Sequence, residues 1–269
     1  MNTTTEFVSA SAIAGMILSM IVTLLGPVIL LIIWKVKKKC SLLPALAGAL
    51  TFIIAALVLE SIPKYFLFAD KNAVSGYILS HGWAYSLIGA LLAGVFEECG
   101  RYVTMRFFLK KHSARKDAIS YGIGHGGIEC VLLIGFGMLS NLMLAFAINN
   151  GTIDLLTNGL PADQAAVYES VVVTLTTAGP GMFLWSIWER FFTLIFHISM
   201  SVLVFASVKV KGRIYFFPIA VLLHTAVDLF AAFYQFGSLP LAVTELAIAV
   251  FSVGTALLAR RIYTHVLSE

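Results

Sequence analysis

Long apolar runs separated by short basic or turn-rich connections occupy almost the whole chain. A membrane-crossing helix needs about 20 predominantly apolar residues, each rising 1.5 Å. The pattern predicts seven spans, at 7–34, 41–60, 76–109, 118–148, 181–208, 214–235 and 240–260. The first has no basic segment before it and no small-residue cleavage site after it, so a retained span is expected. The one sizeable connection runs from Asn149 to Pro180. Asn149-Asn150-Gly151, Asn158-Gly159-Leu160-Pro161 and Gly179-Pro180-Gly181 mark turns in it. Between them, Ala162 to Thr177 predicts a helix lying on the outer membrane surface. The expected fold is all-α, a polytopic bundle forming one integral-membrane domain over 1–269. Its catalytic helices would cover about 76–235, with 7–34, 41–60 and 240–260 peripheral.

Basic residues orient this bundle. They cluster after the first span (Lys35, Lys37, Lys38, Lys39), the third (Lys110, Lys111, Arg115, Lys116), the fifth (Lys209, Lys211, Arg213) and the last (Arg260, Arg261). The alternate connections hold Lys64 and Lys71 beside Asp70, Asp154, Asp163 and Glu169. The positive-inside rule then puts the N-terminus outside and the C-terminus in the cytoplasm.

Composition fits this reading: 59% of residues are hydrophobic, 12% are charged, and the mean hydropathy is +0.94. A soluble domain carries about 25% charged residues, so the chain is expected to be a multi-pass protein of the cell membrane with the bilayer as its first partner. The net charge of +4 sits in loop clusters and implies no nucleic-acid partner. Cys40, Cys99 and Cys130 lack the spacing of a disulfide framework, and Cys99 and Cys130 read as small packing residues.

Against this background the ionisable residues inside the spans stand out. They are Glu97-Glu98-x-x-Arg101, His125-x-x-x-Glu129, Glu189-Arg190 with His197, and His224-x-x-x-Asp228. Such groups are costly at membrane depth, by roughly 2.5–3.5 kcal/mol each on insertion scales, and usually face a bundle interior. Counted from the cytoplasmic helix ends, Glu97, His125, His197 and His224 all fall roughly 11–17 Å deep. Residues four apart share a helix face, so each helix can turn its polar groups toward one cavity.

Paired glutamates suit general acid–base work, since two neighbouring carboxylates do not both ionise easily. The plainer alternative is a buried ion pair between a glutamate and Arg101. One histidine in an apolar helix is more often a packing residue than a ligand, but three at one level suggest a zinc site of His125, His197 and His224. Glu129 and Asp228, one turn from a histidine, suit either coordination or the hydrogen bond that orients a ligating imidazole. Gly122, Gly124, Gly126 and Gly127 read as close helix packing. Glu60 and Glu245 read as interfacial.

The order Glu97-Glu98-x-x-Arg101, then Tyr121-x-x-x-His125, then His224-x-x-x-Asp228 resembles the motif set of the type II CAAX prenyl endopeptidase and bacteriocin-processing superfamily. Gly124-His125-Gly126-Gly127-Ile128-Glu129, and Glu189-Arg190 followed by His197, are similar to the YhfC-like intramembrane metalloproteases; the latter pattern also resembles PrsW-type proteases. The resemblance covers about 76–235. It implies that Glu97 activates water and that His125 and His224 assist it or bind metal. Asp228 stands where many relatives have an asparagine, and Arg101 lies one residue nearer the glutamates than in the prenyl-protease pattern.

The resulting expectation is a metal-dependent peptidase acting on a membrane-protein or lipopeptide substrate, with Glu97 as base and Glu98 or Asp228 returning a proton. A proton-coupled transporter is the rival, because rows of Glu, Asp and His also relay protons. Convergence at one level, with no inverted repeat, favours hydrolysis. A non-catalytic relative serving as chaperone or sensor is the third reading.

Overall fold

The computed structural model describes residues 7–69 and 71–267. Asp70, assigned above to the outer side, lies outside them. The described residues form α1 (Ala10–Lys38), α2 (Leu43–Phe52), α3 (Ser61–Lys64), α4 (Ala73–Ser80), α5 (Gly82–Val103), α6 (Arg115–Glu129), α7 (Phe136–Asn149), α8 (Asp154–Thr157), α9 (Ala162–Thr177), α10 (Pro180–Lys209), α11 (Phe216–Gln235) and α12 (Leu241–Arg261). No strand occurs among them. Five π-helical segments interleave with these, at Ile53–Leu59, Tyr65–Ala69, Thr104–Phe108, Cys130–Gly135 and Ile262–Val266.

Among the described residues, six continuous helices are long and apolar enough to cross a membrane: Ala10–Lys38, Leu43–Ala69, Arg115–Asn149, Pro180–Lys209, Phe216–Gln235 and Leu241–Val266. The expected third span, 76–109, is not a single rod. Ala73–Ser80 and Gly82–Phe108 meet at 106°, a pair that makes a seventh crossing when taken together. The bend has local causes. Asn72 starts α4 by accepting from the backbone N–H groups of Val74 and Ser75 in a capping box. His81 is extended (φ −124°, ψ 103°) and ends it. Helix α9 keeps the limits that the sequence pattern predicts for it.

The chain divides into two compact units, Met1–Gly26 with Cys130–Arg190, and Pro27–Glu129 with Phe191–Glu269. In the first, Met16, Leu142, Ala145, Val172, Leu175 and Phe183 belong to one apolar core. Asn149 fastens the chain start there, its Oδ1 accepting from the Val8 N–H at 2.7 Å and its Nδ2 donating to the Val8 carbonyl at 3.0 Å.

The second unit is held by very close helix contact. A Cβ on Gly124 would stand 1.9 Å from the Ala45 carbonyl oxygen, and one on Gly122 would stand 2.5 Å from Ile198 Cα. Only glycine lets α6 lie this near both α2 and α10, so small residues here replace the bulk that would hold the helices apart. Helix ends in this unit are capped across the structure. Lys116 donates to the carbonyls of Lys38 and Lys39 (both 3.2 Å), and Lys209 to that of Leu109 (2.8 Å). Cations thereby meet the negative ends of helices whose last carbonyls lack intrahelical donors. Burial sets α10 apart: 61% of its most apolar stretch is enclosed, against 22–33% in the other continuous spans. Their outward Leu, Ile, Val and Phe side chains fit contact with lipid tails.

Candidate active site

Four helices of the second unit bring seven ionisable side chains and one arginine together. Helix α5 supplies Glu97, Glu98 and Arg101 from the face that also buries Ala90 and Gly94. That face meets α11 closely enough for a Cβ on Gly94 to fall 2.5 Å from Thr225 Oγ1. Helix α6 supplies His125 and ends at Glu129, where the π-helical turn Cys130–Gly135 begins. His197 comes from α10, and His224 and Asp228 from α11. All are buried except Asp228, whose side chain is 33% exposed.

Each histidine has a carboxylate partner. His125 Nε2 lies 2.9 Å from Glu97 Oε2, and His197 Nε2 lies 2.5 Å from Glu129 Oε2. His224 Nδ1 lies 2.6 Å from Glu98 Oε1, while its Nε2 faces Asp228 Oδ2 at 3.5 Å and Glu97 Oε2 at 3.8 Å. Arg101, 0% exposed, pairs its Nε with Glu98 Oε2 at 3.1 Å. Its Nη1 donates to the His197 carbonyl (2.9 Å) and to Ser201 Oγ (2.5 Å), and its Nη2 reaches His197 Nδ1 at 3.3 Å. Rings close the cluster: Phe52 stands edge-on to His125 at 5.4 Å between centroids, and Phe196 edge-on to His224 at 5.3 Å.

The donor set fits a divalent cation. Glu97, Glu98 and Asp228 lie among three histidines and one guanidinium, a set of nitrogen and carboxylate-oxygen donors in a low-dielectric interior. Nitrogen and carboxylate oxygen are ordinary zinc ligands. Ligand atoms of Glu97, His125 and His197 lie within 4.8 Å of one another. His125 Nδ1 is buried without a hydrogen-bond partner, a further donor atom toward a cation.

These positions bear on the sequence expectations residue by residue. His125, His197 and His224 converge, their ring centroids 5.2 Å (His125–His197) and 5.4 Å (His197–His224) apart. Glu97, expected as a base, occupies the mutually close group with His125 and His197, whereas His224 pairs with Glu98. Glu189 and Arg190 belong to the first unit and bond to each other. Cys99 is exposed on α5, so packing does not explain it; Cys130 is buried, and both are free thiols. Ser201 and the ring walls Phe52 and Phe196 escape sequence reasoning. Ser201 follows His197 by one turn, a spacing that points to a shared face. Glu60 and Glu245 are buried, 2% and 4% exposed, where interfacial positions were expected.

Over residues 21–251 the chain matches the family described as YhfC intramembrane metalloprotease. It is 35% identical over 262 residues to the Bacillus subtilis (strain 168) protein described as "Uncharacterized membrane protein YhfC", a match covering 95% of this chain and 99% of that protein. No solved structure matches the chain. With its apolar helices and its buried histidines and glutamates, this multi-pass membrane protein belongs to the YhfC intramembrane metalloprotease family.

Proposed function

We propose that the chain is a metal-dependent peptidase that hydrolyses peptide bonds of membrane-embedded or lipid-linked substrates in the cytoplasmic half of the bilayer. One observation carries this reading: three histidines and four carboxylates, all buried but the partly exposed Asp228, gather beside Arg101 in helices apolar enough to span a membrane. Alternation of basic and acidic connections supports an N-terminus outside and a cytoplasmic C-terminus.

The metal, zinc by its nitrogen and oxygen donors, would be held by His125, His197, His224 and Glu129, with Glu97 in reach of the same position. When bound, it would polarise the scissile carbonyl and ease the ionisation of water. Glu97 receives the proton of the attacking water, its Oε2 steadied by His125 at 2.9 Å. That proton passes to Glu98 or Asp228, which returns it to the leaving amine. Asp228 suits exchange with the aqueous side, being the one partly exposed member, and Arg101 keeps Glu98 in place. The substrate enters extended or locally unwound, because helical hydrogen bonding hides backbone carbonyls.

The test compares membrane proteomes of cells expressing the wild type or Glu97→Gln. Wild-type cells should show fragments whose new termini map inside, or just cytoplasmic of, a span, and the variant should lack them. Identical fragment sets, with proton flux in liposomes that depends on Glu97, would replace the peptidase by a transporter. Cysteine labelling supplies the orientation: probes near Asn150 should react from outside, and probes near Ser113 only from the cytoplasm.

A further inference from the structure

Away from the histidine cluster, α11 carries a second feature. Ala226, Leu229, Phe230 and Phe233 recur at one-turn spacing and line one side of a cavity of about 560 Å³. That volume lies within the roughly 300–1,000 Å³ of ligand-holding sites. Two residues advance a helix by about 200°, so Ala226 and Phe230 point away from Asp228, and Ala226 away from His224. The cavity therefore lies behind the candidate active site, on the opposite face of the same helix.

Phe251 of α12 forms the facing wall, its ring centroid 6.3 Å from that of Phe230. The connection between the two helices forms the rim. Gly237, at φ +82°, ends α11 in a left-handed turn: its N–H donates to the Tyr234 carbonyl and the Ser238 N–H to that of Phe233, both at 2.8 Å. This turn fixes Ser238 and Leu239 at the cavity mouth. Among the described lining residues, Ser238 alone carries a polar side chain.

Depth and lining both match a lipid chain. Ala226 lies nine residues before the end of α11 and Phe251 ten residues after the start of α12, about 14–15 Å along each helix. A hydrocarbon core is about 30 Å thick, so the cavity runs from the polar boundary to the depth that one leaflet's acyl chain reaches. Its apolar lining residues are half-buried and continue into the exposed Leu222 of α11 and Val243, Leu246 and Val250 of α12, the surface that these spans turn to lipid. With one hydroxyl along its length, the cavity offers water too few partners, whereas hydrocarbon finds apolar contact throughout.

We infer that this cavity is a lipid site: one acyl chain of a phospholipid from the adjoining leaflet lies between α11 and α12, its polar end beside Ser238, and braces the helix that carries His224 and Asp228. A bilayer lipid is the occupant rather than a substrate chain, because the face of α11 that bears His224 and Asp228 looks the other way. The site involves neither metal nor peptide cleavage, so its fate is separate from that of the proposed function.

The experiment places the full chain in phosphatidylcholine nanodiscs, with part of the lipid bearing a photoreactive diazirine in one acyl chain, and maps the cross-links by mass spectrometry. Labelling of Leu229, Phe230 and Phe251 should exceed that of the openly exposed Leu222 and Val250 several-fold. After extraction into detergent before illumination, the cavity labelling should persist, with one phospholipid per chain in native mass spectra. Ala226→Trp fills the space and should abolish cavity labelling while Leu222 and Val250 stay labelled. Leu239→Trp does the same from the rim if the first variant does not fold, and the wild-type pattern decides by itself if neither does. Even labelling of cavity and open surface, its complete loss on extraction, or unchanged cavity labelling in a folded, filled variant would overturn the inference.

Discussion

Two buried acidic regions of the second unit differ in how their charge is balanced. Glu60, at the junction of the π-helical segment Ile53–Leu59 and α3, is 2% exposed and has a cation of its own, Lys64 Nζ at 2.6 Å. Lys64 is 46% exposed, so its stem covers apolar surface while its ammonium carries the pair outward. The site cluster sets Glu97, Glu98 and the partly exposed Asp228 among three histidines and Arg101, a guanidinium that never reaches the surface. Both regions place acid in apolar helices, yet only the cluster sets its carboxylates against histidines. Burial of a carboxylate is thus weak evidence of function, whereas several of them beside histidines form a donor set suited to a cation.

The comparison breaks most visibly at Arg101. Arg101→Met removes the guanidinium paired with Glu98 and leaves that carboxylate buried without it. A loss of about 3–5 kcal/mol is expected, the range for stripping one partner from a buried pair. Thermal unfolding in detergent should show it, and added zinc should recover part of the loss by binding the folded state. Glu97→Gln comes next in size. It should lower turnover by about 10²-fold or more, the scale of acid–base assistance, with the unfolding temperature little changed.

Lys64→Ala gives the smallest effect and sharpens the contrast. Because the lysine is nearly half exposed, solvent screens the pair, and about 1 kcal/mol or less of stability should be lost. Metal content and proteolytic fragments should stay at wild-type levels. A Lys64→Ala protein that lost its metal would join Glu60 to the cluster and erase the distinction between the two regions.

Much of this arrangement was legible before any coordinates, for a definite reason. Charged residues are so costly in apolar runs that Glu97, His125, His197 and His224 announce themselves, and one-turn spacing correctly aligns His224 with Asp228 at 3.5 Å. Turn residues on either side likewise delimit α9. Partner choice was not legible. Which carboxylate meets which histidine depends on helix rotation and side-chain torsions, so the pairing of Glu98 with His224, and of Glu129 with His197, leaves no mark in the spacing. The 106° bend at His81 was hidden because the hydropathy continues through it, and apolar character does not distinguish a straight span from a broken one. Glu60 was misjudged because depth along a helix says nothing about which side of that helix faces the protein.

Elemental analysis of the purified chain tests the central claim most directly. If the histidine–carboxylate cluster holds a metal, the wild type should carry close to one equivalent of a divalent ion, zinc foremost. The double variant His125→Ala, His224→Ala should lose nearly all of it, and Lys64→Ala should keep it. A folded wild type with no bound divalent metal, or a double variant with full occupancy, would contradict the account.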